Sequence, residues 1–150
     1  MRPYENLTAY LMVLYQNLKT LHYNVVGHGF FTIHKELEEA YKAIAKMCDD
    51  LIERGIPLGY LQPSIQSAIL AHQSDVLPVM ARDSHESVKL AYDGYIKAVE
   101  LMTLAKDGAP SDVQSKMDEY IYYLRKEADY KMQRYIGEPT ANPNIIDEDD

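Results

Sequence analysis

Leu7, Tyr10, Leu11, Leu14, Leu18, Leu21 and Val25 recur at steps of three and four, with polar residues between them. An α-helix brings such positions onto one face, so the pattern predicts an amphipathic helix over residues 4–26. Gly27, His28 and Gly29 interrupt it. A second stripe of Phe30, Ile33, Leu37, Tyr41, Ile44, Cys48, Leu51 and Ile52 predicts a helix over residues 30–54, stopped by Gly55, Pro57 and Gly59. Residues 63–72, PSIQSAILAH, predict a short helix with Pro63 near its start, too short to stand without support. A third long helix is expected from Leu77 or Pro78 to Lys106, with Ala81, Val88, Ala91, Tyr95, Ala98 and Met102 facing inward. After a turn at residues 107–110, Ser111 is the expected N-cap of a fourth. Its stripe is Val113, Met117, Tyr120, Ile121, Leu124, Ala128, Met132 and Tyr135, with Gly137 as the residue that ends it.

No segment alternates as a strand does, and no repeat of solenoid length is present. The expected fold is all-α: residues 1–137 as a four-helix bundle with a short extra helix in the connection between its second and third long helices. Residues 138–150, EPTANPNIIDEDD, read as an acidic flexible tail.

Composition narrows the class. The chain has 150 residues, 47% hydrophobic and 25% charged, which is enough to bury a core in one domain. No apolar run approaches the roughly 18 residues of a membrane span, and MRPYENLTAY lacks an apolar signal region. A single cysteine, Cys48, excludes an internal disulfide framework and fits a reducing, cytoplasmic setting. Of the formal charge of −8, much falls in the tail, where Glu138, Asp147, Glu148, Asp149 and Asp150 meet no Lys or Arg. The body is only mildly acidic, and the residues before the first helix offer one base, Arg2, so the charge pattern argues against DNA as a partner.

His22, His34, Glu38, Asp49 and Glu53 carry the candidate chemistry, since imidazoles and carboxylates together suit iron. From position 34 to 38, 49 and 53 the helix turns through whole turns plus roughly 40°, 60° and 100°, so these four share one stripe. His34 and Asp49 nevertheless lie roughly 22 Å apart along the axis, against metal bonds of about 2 to 2.5 Å. One helix cannot close the site. A second copy running antiparallel across a two-fold axis would bring its Asp49 and Glu53 to the first copy's His34 and Glu38, which predicts a homodimer with two equivalent sites. The other di-iron bundle signature, Glu-x-x-His, is absent, because the residues three before the five histidines are Lys19, Val25, Phe31, Ile69 and Arg82. The rival within one subunit is a carboxylate site using Glu86, Asp93 or Glu127.

The segment LHYNVVGHGFFTIHKELEEAYKAIAKMCDDLIERGIPLG resembles the signature of the Dps proteins, the mini-ferritins named for DNA protection during starvation. In that family His-Trp-Asn is followed by Gly-x-x-Phe-Phe-x-x-His-x-x-x-Asp, then Asp-x-x-x-Glu-Arg and a Gly-rich end. The resemblance implies a ferritin-like bundle and a ferroxidase that oxidises Fe(II) with peroxide or O₂ and stores the product in a hollow dodecamer. It implies His22, His34 and Glu38 as iron ligands from one subunit, and Asp49 and Glu53 as ligands from its two-fold mate. Glu38 stands where the family has Asp, and Tyr23 where it has a Trp thought to take up oxidising equivalents. The Lys-rich tail that many Dps proteins use on DNA is missing. The alternatives are a ferritin-like structural or interaction bundle, its five residues idle or holding zinc in place of iron, and a DNA-binding protective protein.

Overall fold

The computed structural model describes residues 1–137, so the tail reading falls outside the described residues. Helices α1 (Pro3–Asn24), α2 (Phe30–Gly55), α4 (Ser84–Lys106) and α5 (Ser111–Arg125) are the four rods of a bundle, and α3 (Ile65–Ala71) lies in the long connection between α2 and α4. The fourth rod continues past α5 through a π-helical stretch, Lys126–Met132, into α6 (Gln133–Ile136). Helix α1 is the hub, packing against α2, α3 and α4, while α5 packs on α4.

The predicted stripes are the core. Leu7, Leu11, Leu14, Leu18 and Leu21 of α1 are buried against Ile33, Leu37, Ile44 and Leu51 of α2 and against Val88, Ala91, Tyr95 and Met102 of α4. Buried hydroxyls tie the rods together through backbone carbonyls that helix geometry leaves accessible. Tyr4 Oη donates to the Leu51 carbonyl at 2.5 Å and Tyr10 Oη to the Gly94 carbonyl at 3.1 Å. A Cβ at Gly94 would stand 2.6 Å from Leu14 Cδ1, so a larger residue there would force the buried Leu14 side chain to move.

Helix α3 seats through one small residue. Ala68 is fully buried against Ala9 and Val13 of α1, which lets the short helix approach closely. Asn17 of α1 holds the segment that follows, accepting from the Leu77 N–H at 3.0 Å and donating to the Asp75 carbonyl at 2.8 Å.

Several boundaries differ from the sequence expectation, each for a local reason. Helix α1 stops at Asn24, not residue 26, because Val25 pairs in an isolated parallel bridge with Arg82. That bridge also keeps residues 77–83 out of α4. Arg82 donates its N–H to the Asn24 carbonyl and accepts from the Val26 N–H at 2.9 Å, so α4 begins at Ser84 and Ala81 is exposed instead of inward. Ser64, not Pro63, opens α3, its hydroxyl accepting from the Ser67 N–H. Pro110 holds the cap position of α5 and Ser111 is its first residue. Tyr135, placed on the inward stripe, is 46% exposed, because the π-helical stretch shifts the face presented after residue 126. Gly137 takes the expected left-handed conformation at φ 77°.

The true start of α4 is set by Asp83, whose carboxylate accepts from the Glu86 N–H at 2.8 Å. Asp83→Ala should cost about 1 kcal/mol, a loss of roughly 2–4 °C in melting temperature for a chain of this size. A thermal melt of the two proteins followed by far-UV circular dichroism checks it.

Candidate metal centre

Two glycines make the site possible. Gly27 and Gly29 take φ of 88° and 82°, which β-carbon-bearing residues adopt only with strain. They fold the chain back within five residues, so the last turn of α1 meets the first turns of α2. His22 and His34 thereby come face to face, with ring centroids 3.8 Å apart and planes 15° from parallel. Their bonds are reciprocal: His22 Nδ1 donates to the His34 carbonyl at 2.6 Å, and His34 Nδ1 donates to the His22 carbonyl at 2.8 Å.

Those bonds fix the chemistry of both rings. A carbonyl oxygen can only accept, so each Nδ1 must carry a proton, which leaves Nε2 as the nitrogen that can bind a metal when the ring is neutral. Metal-binding histidines are held in this way, by a hydrogen bond on the nitrogen that does not bind. His22 is 3% exposed and His34 half-buried, so the pair is sheltered but open on one side.

Glu38 lies one turn beyond His34. Lys42 donates to it at 3.0 Å, and that bond and charge, with smaller contributions from His22 and His34, hold its carboxyl below the usual range. It is therefore an anion at neutral pH, one helical turn from His34. The ammonium that keeps it so is an exposed partner four residues along the same helix, and such pairs are weak enough for an incoming cation to displace.

Asp49 and Glu53 are both exposed on the far half of α2. Among the described residues, no three His, Cys, Asp or Glu side chains converge where they could hold a metal. The chain thus brings His22, His34 and Glu38 into one neighbourhood and leaves Asp49 and Glu53 apart from it. The intrasubunit rivals do not gather either, since Glu86, Asp93 and Glu127 pair with Arg82, Lys89 and Lys131, each four residues away in sequence, at 3.8, 3.6 and 3.0 Å.

Asp49 sits instead in an apolar groove of about 440 Å³ between α1, α2 and α3, shared with Met12, Tyr15, Ile52, Ile65 and Ile69. Ile65 is 70% exposed and Ile69 44%. An aspartate flanked by uncovered isoleucines marks the surface that a ligand-sharing partner would have to cover.

Around His22 the structure gathers Tyr23, at the family's Trp position, and Tyr41, of the predicted α2 stripe, with Tyr15 and Lys19, which the sequence reading left unassigned. Tyr41 meets His22 edge-on at 5.3 Å, Tyr15 meets Tyr41 at 5.9 Å, and Tyr23 meets His22 at 4.9 Å. The Lys19 ammonium lies 5.3, 5.8 and 6.0 Å from the rings of Tyr15, Tyr41 and Tyr23. The signal was present as spacing: Lys19 and Tyr15 stand three and seven residues before His22, and Tyr41 seven after His34, each on its histidine's helix face.

Comparison with known proteins agrees with the helical bundle. The ferritin-like domain family matches residues 5–130. General stress protein 20U of Bacillus subtilis is 38% identical over 134 residues, spanning 83% of this chain and 88% of that protein. The DNA protection during starvation protein of Helicobacter pylori is 43% identical over 56 residues, which span 37% of this chain and only 39% of that protein. Among solved structures, a Dps protein of Vibrio cholerae O1, described as a member of a broad superfamily of ferritin-like diiron-carboxylate proteins, superposes with a TM-score of 0.79. It is 24% identical and the match covers 89% of this chain and 86% of that one, a likeness of fold. With its helical bundle, its short connecting helix and these matches along most of its length, the chain belongs to the Dps mini-ferritins within the ferritin-like family.

Proposed function

We propose that the protein is a ferroxidase and iron store that oxidises Fe(II) with peroxide or O₂ at sites shared between two subunits. The observation that carries this reading is the reciprocal locking of His22 and His34, which turns both Nε2 atoms away from the carbonyl bonds and so available to a metal, with the ionised Glu38 one turn along α2. Mixed imidazole and carboxylate shells suit Fe(II), and three ligands from one chain leave positions for others. Asp49 and Glu53 of the partner subunit would supply the rest, with Glu53 bridging or completing the shell and Asp49 binding directly or through water. The ferrous ion is both substrate and cargo. Carboxylates stabilise the ferric product better than the ferrous ion, because the extra charge falls on anionic ligands, and this biases the site toward oxidation.

The groove at Asp49 supports self-association through the α1, α2 and α3 face, and a closed shell of twelve chains enclosing the deposited iron is the assembly proposed. Glu38 reaches one methylene further than the aspartate of the family pattern. Its carboxylate can still turn toward the histidines, since only Lys42 restrains it.

Stopped-flow oxidation of Fe(II) by peroxide tests the proposal. The full chain should consume ferrous ion at least about 10- to 100-fold faster than a His34→Ala, Glu53→Ala double variant. Equal rates for the two proteins would remove the enzyme reading and leave a bundle without ferroxidase activity.

A further inference from the structure

We propose that the cleft between α2 and the fourth rod binds a linear organic diamine or polyamine, held by carboxylates on its two walls with the methylene chain lying on the apolar floor between them. The pairs α1 and α2, α1 and α4, and α4 and α5 pack directly, whereas α2 and the fourth rod stand apart, tied toward one end by Tyr120 Oη donating to Asp50. Toward the other end the opening amounts to about 420 Å³. Leu37, Val88 and Ala91 form its floor, and all three belong to the buried core. None of the five candidate iron ligands lines it, so the proposal stands or falls apart from the ferroxidase reading.

The charges select the ligand. Glu36 and Glu39 stand on the α2 wall, and Glu127 stands with Lys131 on the π-helical stretch opposite. Lys131 pairs with Glu127 at 3.0 Å, while Glu36 and Glu39 have no ion pair among the described residues. Three carboxylates against one ammonium leave the mouth negative, which repels an anion. A bare dication is not served either. No three acidic or imidazole side chains converge among the described residues, and an apolar floor gives a small ion nothing in exchange for its water. Carboxylates held apart across an apolar floor match a cation whose charges are also held apart, joined by methylenes that gain by leaving water.

Lys131 shows how the mouth treats such a group. The bond and charge of Glu127, with a smaller contribution from Glu36 across the cleft, hold its ammonium above the ordinary lysine range. The two walls therefore already stabilise one alkylammonium between them, on a side chain of methylenes. Tyr95 and Tyr123 complete the lining. Burial, with a further push from the Glu127 charge, raises both phenols, so both stay neutral. A neutral phenol oxygen can accept from an ammonium without repelling it. Glu127 and Lys131 both belong to the wider π-helical turn, a feature that recurs where helices bind ligands. A diamine that displaces Lys131 from Glu127 and reaches Glu36 or Glu39 with its other end joins α2 to the fourth rod.

Isothermal titration calorimetry of putrescine, cadaverine and spermidine into the iron-free full chain tests the site, with butylamine and Mg²⁺ as comparison probes. The expected result is saturable binding of the diamines, tighter than that of butylamine or Mg²⁺, together with a higher melting temperature in their presence. Glu127→Gln should weaken diamine binding about 3- to 10-fold, and Lys131→Gln should tighten it by a similar factor, because the chain's own competing ammonium is gone. Glu119→Gln makes the same charge change on α5 outside the cleft, at a side chain 69% exposed, and should leave the affinity as it was. Circular dichroism verifies that each variant is folded. Absence of saturable binding overturns the proposal. So does Mg²⁺ binding as tightly as the diamines, or an equal loss in Glu127→Gln and Glu119→Gln, since either leaves only a general attraction of cations to an acidic surface. Weaker binding by Lys131→Gln also overturns it, because the ammonium seat at Glu127 is then not where the diamine sits.

Discussion

Mixing two inactive variants should restore about a quarter of the wild-type iron oxidation rate, provided that each site is drawn from two chains related by a two-fold axis. His34→Ala alone removes one of the two lone pairs that the carbonyl locks prepare. Glu53→Ala alone removes the carboxylate that a partner brings. Each homodimer then has two damaged sites and should fall on the order of 100-fold in rate. In a mixed dimer both substitutions meet in one of the sites, and the other receives an intact His34 from one chain and an intact Glu53 from its partner. Random reassociation makes about half the dimers mixed, hence about one site in four whole. A site confined to one chain gives no recovery, because every chain in the mixture is defective. The measurement is initial ferrous oxidation after the two variants are unfolded together and refolded. Wild-type chains treated identically set the scale, and a mixture no faster than its components refutes the shared site.

The parts of this arrangement that depend on periodicity were legible before any coordinates. The α1 stripe from Leu7 to Val25 is buried throughout, and the α2 stripe is buried or half-buried at every predicted position. The shared face of His34, Glu38, Asp49 and Glu53 follows from 3.6 residues per turn, and so does the distance that forbids one chain from closing the site. What sequence could not supply depends on backbone groups brought together from separate segments. The tautomers of His22 and His34 are set by each other's carbonyls, and those meet only because Gly27 and Gly29 turn the chain. The apolar run from Leu77 to Ala81 looks helical, but Arg82 spends its backbone N–H and carbonyl on Asn24 and Val26. A cap signal, Asp83 followed by Glu86 at the third position, was there to be read and competed with the more obvious Pro78. The π-helical stretch at Lys126–Met132, which packs on α4, has no comparable marker, because its residues are ordinary helix formers.

Placing charges at Ile65 and Ile69 should take the assembly apart while leaving each chain folded. These residues line the groove that holds Asp49, so in the proposed shared site a partner bringing ligands to Asp49 would cover them. In the single chain they are 70% and 44% exposed, with α3 held to α1 by Ala68, so the bundle itself does not need them. Burial of the exposed part of each isoleucine contributes about 1–2 kcal/mol. A two-fold interface counts four such side chains, hence about 4–8 kcal/mol per dimer and roughly a thousandfold to a millionfold in dissociation constant. Ile65→Asp, Ile69→Asp removes that contribution and adds carboxylates near Asp49, where like charges repel and lack water once covered. Light scattering should report the mass of one chain at micromolar concentration, with helical circular dichroism retained. Peroxide-driven iron oxidation should fall with the mass, since half of each ligand set has left. A variant that stays assembled and active would place the interface elsewhere. A monomer that still oxidises iron at the wild-type rate would show that His22, His34 and Glu38 suffice without a partner.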